Sequence, residues 1–362
     1  MNSTNNTFTS NSVNSNYRHG IFVNDSASTG NTINSNTFCD NNQSGGNWYD
    51  IFDADSNNYT DNTCDTANGS TANCTYSCPT CGCDNGTYNY TCGETINTSC
   101  VMNCDLTSTC TCFTIGADNI VIDGNGHSIT GNTTGWGITV TEKNNVTIKN
   151  FNIDNFDRGI YLYSSSNNNL TTNTANNNGE NGIALYKSSN NNTITNNTAN
   201  NNNRGIYLYS SLNNTLIDNT AYNNSDDGIY LNPNSDYNTL TSNNASNNDY
   251  GIHLKESNNN TLTNNTANNN NYGILLSTSS NSTLKNNNAS NNTNYDFYSS
   301  PNSHNNTVKD LTISSIASIA SYPTTISFTY DNGIKIKGVT TPELDPAGKR
   351  NVSKYVNATN VT

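Results

Sequence analysis

Charge is scarce in this chain: only 11% of its 362 residues are Asp, Glu, Lys or Arg, and only 31% are hydrophobic. Ordinary globular domains carry roughly twice as much charge and nearly half apolar residues. So little apolar material excludes one thick core. Disordered chains share the low hydrophobicity but are highly charged and poor in aromatics, whereas this one has 21 Tyr. No apolar run is long enough to cross a bilayer, and no signal-peptide pattern follows Met1. An export signal and any anchor are therefore expected outside this stretch, with no direct membrane insertion. A net charge of -13 argues against nucleic acid and anionic lipid as partners.

In place of charge and hydrophobicity there is asparagine, 82 residues of it, arranged in a repeat. Gly-apolar pairs stand at Gly137-Ile138, Gly159-Ile160, Gly182-Ile183, Gly205-Ile206, Gly228-Ile229, Gly251-Ile252 and Gly273-Ile274, with a degenerate copy at Asp296-Phe297. Successive pairs lie 22 or 23 residues apart. A second ladder (Ile148, Leu170, Ile194, Leu216, Leu240, Leu262, Leu284, Val308) and a small one (Ala175, Ala199, Ala221, Ala245, Ala267, Ala289) keep step with the first. Ile206-Tyr207-Leu208-Tyr209 alternates as a strand with one buried face does. Three short strands per unit, stacked about 4.8 Å apart, predict a parallel β-helix. Asn suits its corners, because it tolerates the left-handed conformation, and suits its interior, because stacked amides bond to one another. Asn173, Asn196, Asn219, Asn243, Asn265 and Asn287 are the expected internal ladder.

The copies "YGIHLKESNNNTLTNNTANNN" and "YGILLSTSSNSTLKNNNASNN", introduced by "TIGADNIVIDGNGHSITG", resemble NosD-like right-handed parallel β-helix repeats of the pectate-lyase-like superfamily, as found in large archaeal and bacterial cell-surface proteins. The resemblance covers roughly residues 87 to 311. It implies an all-β solenoid with 22 to 23 residues and three short strands per coil. It says little of function, because this fold hosts lyases, hydrolases, epimerases, adhesins and surface-layer proteins. Copper handling, suggested by the name of the founding family, is discounted: His19, His127, His253 and His304 fall in different columns or distant coils, beside only two Met.

Residues 1–66 read as the terminal coils of a first β-helix, and "NWYDIFDADSNNYTDNT" at 47–63 matches "NYDFYSSPNSHNNTVKD" at 294–310. Residues 67–112 read as a disulfide-rich cap or linker, 113–311 as the main right-handed helix, and 312–362 as a β-strand segment opening a further β-domain. Strands are expected at 324–330 and 333–339 around Asp331-Asn332-Gly333. Nine of the 11 cysteines crowd together as Cys74, Cys78, Cys81, Cys83, Cys92, Cys100, Cys104, Cys110 and Cys112. Without a second matched pair or a nearby His for zinc, this density favours disulfides and an oxidising, extracellular compartment. Cys39 and Cys64, about one coil apart, are expected to bridge adjacent rungs, and an odd thiol stays free or pairs with another chain. Asn-x-Ser/Thr sequons, among them Asn132, Asn145, Asn213 and Asn351, agree with that compartment.

Two candidate sites follow. Outward tetrad positions place Tyr161, Tyr207 and Tyr230 in one column and Tyr163, Tyr186 and Tyr209 in the next, a flat strip suited to sugar rings or simply to stabilising the sheet. Beside the Gly column cluster Asp157, Arg158, Glu180, Arg204, Asp226, Asp227 and Asp249. Arg204, Asp226, Asp227 and Asp249 are the alternative catalytic set of a polysaccharide lyase, hydrolase or epimerase, and Asp226 with Asp249 a weak calcium site. The minimal loops between 137 and 295 build no groove wall. The reading favoured is a non-catalytic extracellular module, a rigid spacer of a surface layer, sheath or filament with possible carbohydrate affinity. Its partners are glycans, neighbouring surface-protein subunits or further copies stacked end to end, and no cofactor is required beyond optional calcium.

Overall fold

The computed structural model describes residues 3–14, 16–24, 27–39, 41, 48–54, 57–68, 72, 74–76, 81–314, 319–320, 325–330 and 335–340. Every regular element among them is a β-strand. The chain divides into two compact units, Met1–Thr80 and Cys81–Thr362.

In the second unit each coil opens with a long strand such as Arg204–Tyr209 and continues with a short one such as Thr215–Ile217. A third position, carried by Thr198, Thr220, Asn244 and Thr266, is a column of single parallel bridges. Like strands pair in parallel and in register from coil to coil: Ile206 lies on Ile229 and Leu216 on Leu240. Period two turns Ile206 and Leu208 inward, and with Leu216 and Ala221 they are fully buried. Four apolar residues per coil suffice, because each coil is roofed by the next.

The corners explain the asparagine. Asn213, Asp218 and Asn223 have φ values of 56°, 53° and 56°, the left-handed region that Asn and Asp enter more readily than most residues. The residue after each turns inward. Asn219 shows what it does there: its Nδ2 donates to the Ile194 carbonyl (2.7 Å) and to Asn243 Oδ1 (2.9 Å). Its Oδ1 accepts from the Asn197 backbone N–H (2.9 Å) and Nδ2 (3.0 Å). Asn214 and Asn224 stand in parallel buried ladders, and Ser211 in a fourth. An Asn-Asn pair thus divides two tasks, the first residue bending the chain and the second filling the interior. The ladder runs through Asn197, not the expected Asn196. Asn196 is the left-handed corner residue, φ 55°, and only Asn197 keeps the two-residue phase to its Ala that Asn219 keeps to Ala221.

Small residues hold the wall together where the third position meets the long strand. A Cβ on Gly205 would lie 2.6 Å from the Gly228 carbonyl oxygen and 2.7 Å from Ala221 Cβ. The Gly and Ala columns are therefore one packing requirement seen twice.

The cysteine-rich stretch is part of the solenoid. Glu94–Ile96, Cys100–Met102 and Leu106–Thr107 pair in parallel with Phe113–Ile115, Val121–Asp123 and Ser128–Thr130. Coiling therefore starts upstream of residue 113, where the repeat is not yet readable. Cys83–Asp84 and Asn89–Tyr90 pair antiparallel on the outer edge of this first coil. Disulfides join Cys81 to Cys104, Cys83 to Cys100 and Cys92 to Cys112, with Cα separations of 5.5, 5.3 and 4.0 Å.

The first unit has parallel coils of its own, with Thr7–Thr9 on Thr32–Asn34 on Asn58–Thr60. Cys64 is bonded to Cys74, Cα atoms 5.1 Å apart, and not to Cys39 as expected. The register places Phe38, one residue earlier, over Cys64. Cys39 is itself disulfide-bonded, and Cys78 lies outside the described residues. Cys110 is a free, exposed thiol, the odd cysteine the uneven count leaves over, and so stands outside the disulfides expected around it: its neighbour Cys112 is buried and takes Cys92. At the far end Thr325–Tyr330 adds in parallel to Thr307–Ile313, and Lys335–Thr340 returns antiparallel to it. These are the strands expected at 324–330 and 333–339; the turn at 331–333 and residues 341–362, with the expected further β-domain, fall outside the described residues.

Candidate functional site: the outer face of the long-strand sheet

The long strands expose alternate residues, and their register builds the site. Tyr161, Ala184, Tyr207, Tyr230 and His253 fall in one column, and Tyr163, Tyr186 and Tyr209 in the next. Strand spacing, about 4.8 Å, falls in the range at which offset aromatic rings pack, so the rings lie on one another. Tyr207 to Tyr230 is 5.2 Å between centroids with 19° between planes, and Tyr230 to His253 is 4.6 Å with 18°. At Ala184 the column would break, but the Tyr186 ring contacts both Tyr161 (5.4 Å) and Tyr207 (5.3 Å). Beyond His253 contacts pass to Tyr250, Tyr272 and Tyr295 at 5.2, 5.2 and 5.8 Å, and before Tyr161 to Trp136 at 5.0 Å.

This corrects the expected flat strip. Tyr207 and Tyr230 are only 6% and 7% exposed, because their faces are spent on neighbours. What they offer outward is edges. The packing also desolvates the phenols: burial pushes the Tyr186 and Tyr230 hydroxyls well above their ordinary range, where they stay protonated donors.

The charged cluster sits just before the Gly column. Arg204 donates from a terminal guanidinium nitrogen to Asp226 Oδ2 (2.7 Å) and from Nε to Asp227 Oδ2 (3.2 Å), with Cζ 5.4 and 5.6 Å from the Tyr207 and Tyr230 centroids. Asp227 is buried and also meets His253 Nδ1 at 3.0 Å. Burial, then the neighbouring Asp227 charge, raises the Asp226 carboxyl above the usual carboxylate range despite Arg204. For Arg204 burial acts downward, but Asp226 and Asp227 outweigh it and hold the guanidinium above its ordinary value. Two coils earlier Arg158 pairs with Glu180, and its Cζ lies 5.2 and 5.9 Å from the Tyr161 and Tyr186 centroids.

Asp249 stands apart. Its Oδ1 accepts from Asn271 Nδ2 (2.9 Å), while Asp226 is taken by Arg204. No group of three or more His, Cys, Asp or Glu side chains is placed to hold a metal among the described residues. The structure thus brings Arg204, Asp226 and Asp227 together, leaves Asp249 outside, and adds His253. Sequence reasoning passed over His253 by testing it only as a copper ligand. Its signal was its place in the Tyr230 column.

The family model for the right handed beta helix region matches residues 83–232, 136–280 and 204–341. The chain belongs to the right-handed β-helix family. Among solved structures, the A-modules of two Azotobacter vinelandii mannuronan C-5 epimerases are similar to this member of the family. AlgE4 has a TM-score of 0.52 at 15% identity, covering 84% of this chain and 86% of that one. AlgE6 has 0.50 at 16%, covering 66% and 85%. A Paenibacillus alginate lyase follows at 0.45 and 14%, covering 64% and 87%. At these identities the likeness is one of fold. No curated protein sequence matches.

Proposed function

We propose that the protein is an extracellular structural module that contacts polysaccharide along the outer face of its long-strand sheet, without turning it over. The observation that carries this reading is the unbroken row of rings from Trp136 to Tyr295, flanked by half-exposed Arg158, Glu180, Arg204 and Asp226. Such a row is rigid, presents hydroxyls and charge-paired donors, and runs along the solenoid as a polymer would. The similar mannuronan C-5 epimerase modules support polysaccharide as the ligand class. The disulfides support an oxidising compartment. The sequon residues Asn132, Asn145 and Asn213 are exposed, which supports glycosylation.

A second reading, a polysaccharide-active enzyme, is favoured by one feature, the buried Asp227–His253 pair beside Arg204. Against it, His253 Nε2 is buried without a partner. A binding screen on the oxidised protein, with and without calcium and with sugar release monitored, separates the readings. Binding without release supports the module. Release of shortened or unsaturated sugars that disappears in Asp227→Ala would establish the enzyme, and no binding to any polysaccharide would remove the glycan-contact part.

A further inference from the structure

The two arginine sites repeat each other. Arg158 and Arg204 both begin an Arg-Gly-Ile-Tyr-Leu-Tyr strand, and each bonds an acid 22 residues on, Glu180 or Asp226. Each guanidinium lies over two tyrosine rings. Asn181 is in register with both arginines, so the sites stand two rungs apart, about 9.6 Å. Two 1,4-linked pyranose rings in an extended chain span that length.

Beside them lies a shallow depression of about 490 Å³ whose lining carries no charge, built from Asn178, Gly179, Asn201, Asn202, Asn203, Asn223, Asn224 and Ser225. Gly179 opens it: a Cβ there meets nothing closer than 3.8 Å. The electrostatics favour an uncharged guest. Each arginine is already neutralised, and Asp157, Asp227 and Asp249 leave an excess of negative charge around the pair. An arginine–carboxylate pair still offers free donors and acceptors to vicinal hydroxyls, as amides do.

We infer that this face binds a neutral, extended 1,4-linked glycan, one disaccharide repeat per arginine site, with the amide-lined depression receiving a neighbouring ring. The inference rests on the polysaccharide-contact reading above and narrows it to an uncharged ligand class. The test is calorimetric titration of the oxidised full chain with cello-, xylo- and manno-oligosaccharides of two to six residues, and with oligomannuronate and oligogalacturonate of equal length. The expected result is calcium-independent binding of a neutral series, with affinity rising steeply between two and four residues as the second site engages. Arg158→Ala and Arg204→Ala should each lower affinity about tenfold, the loss of one charge-assisted contact. Gly179→Trp, which fills the depression and removes no charged group, should abolish binding while leaving the circular dichroism spectrum and melting temperature unchanged. Tighter binding of the oligouronates would overturn the neutral-ligand assignment and leave polysaccharide contact standing. Neutral binding insensitive to all three variants would overturn the site, and no binding by either series would overturn both readings.

Discussion

At the residue scale, adjacent asparagines have unequal value. Asn219→Ala removes four buried hydrogen bonds and strands the Asn197 backbone N–H, so a loss of about 3 kcal/mol is expected in chemical denaturation. Asn196→Gly, at the same corner one coil earlier and next to the ladder residue Asn197, keeps the left-handed backbone and should cost only a few tenths of a kcal/mol. Charge obeys the same local logic. Asp226 has a folded carboxyl raised above its unfolded value, chiefly by burial, so in the interval between the two the folded state binds more protons and stability falls as pH rises. Asp226→Asn should flatten the fall of melting temperature that begins as pH rises past about 4, the ordinary carboxylate range. Asp227→Ala is the opposite case. It strips Arg204 Nε and His253 of a buried partner and should destabilise by about 2 kcal/mol at pH 7. The Asn-Asn code was half legible in the sequence: the spacing exposed the ladder, but where two asparagines adjoin, only the phase to the Ala column tells corner from interior. His253 was obscured because its role depends on a residue 26 positions away, Asp227.

At the element scale, coils are interchangeable to the extent that their columns agree. Strand register, Gly column and apolar ladders were readable because one fixed spacing links them all. The first coil of the second unit was not, since three disulfides hold Cys81–Cys112 where regular apolar spacing is absent. Reduction should therefore act locally. Dithiothreitol is expected to raise amide exchange first around Cys100–Met102 and Phe113–Ile115, with Ile229 and Leu240 protected until global unfolding. Ring orientation was equally hidden: a column of tyrosines in a sequence does not say whether faces or edges meet the solvent. Rung spacing decides for edges, and a lone Tyr207→Ala should open a gap rather than remove a platform.

At the scale of the whole molecule, each described unit is a stack whose interior is polar in four ladders and apolar between them. Such an interior has no centre, so stability accumulates along the axis instead of concentrating in one core. Cys110 gives an outside check on the cysteine pattern: under native, non-reducing conditions a maleimide should label that residue, and peptide mapping should find Cys64, Cys74, Cys83 and Cys100 unmodified.

A stack of near-identical rungs also poses a counting problem. Any coil can dock on any other with its Ile, Leu, Ala and Asn correctly opposed, so a chain that skips one rung while folding loses a loop's worth of contacts yet meets no clash to reject the mistake. What can number the rungs is their irregularity: Trp136 at the head of the ring row, Ala184 where a tyrosine is missing, His253 where imidazole replaces phenol. These departures from the repeat act as page marks, and a consensus version with all of them made Tyr would gain regularity while losing its place.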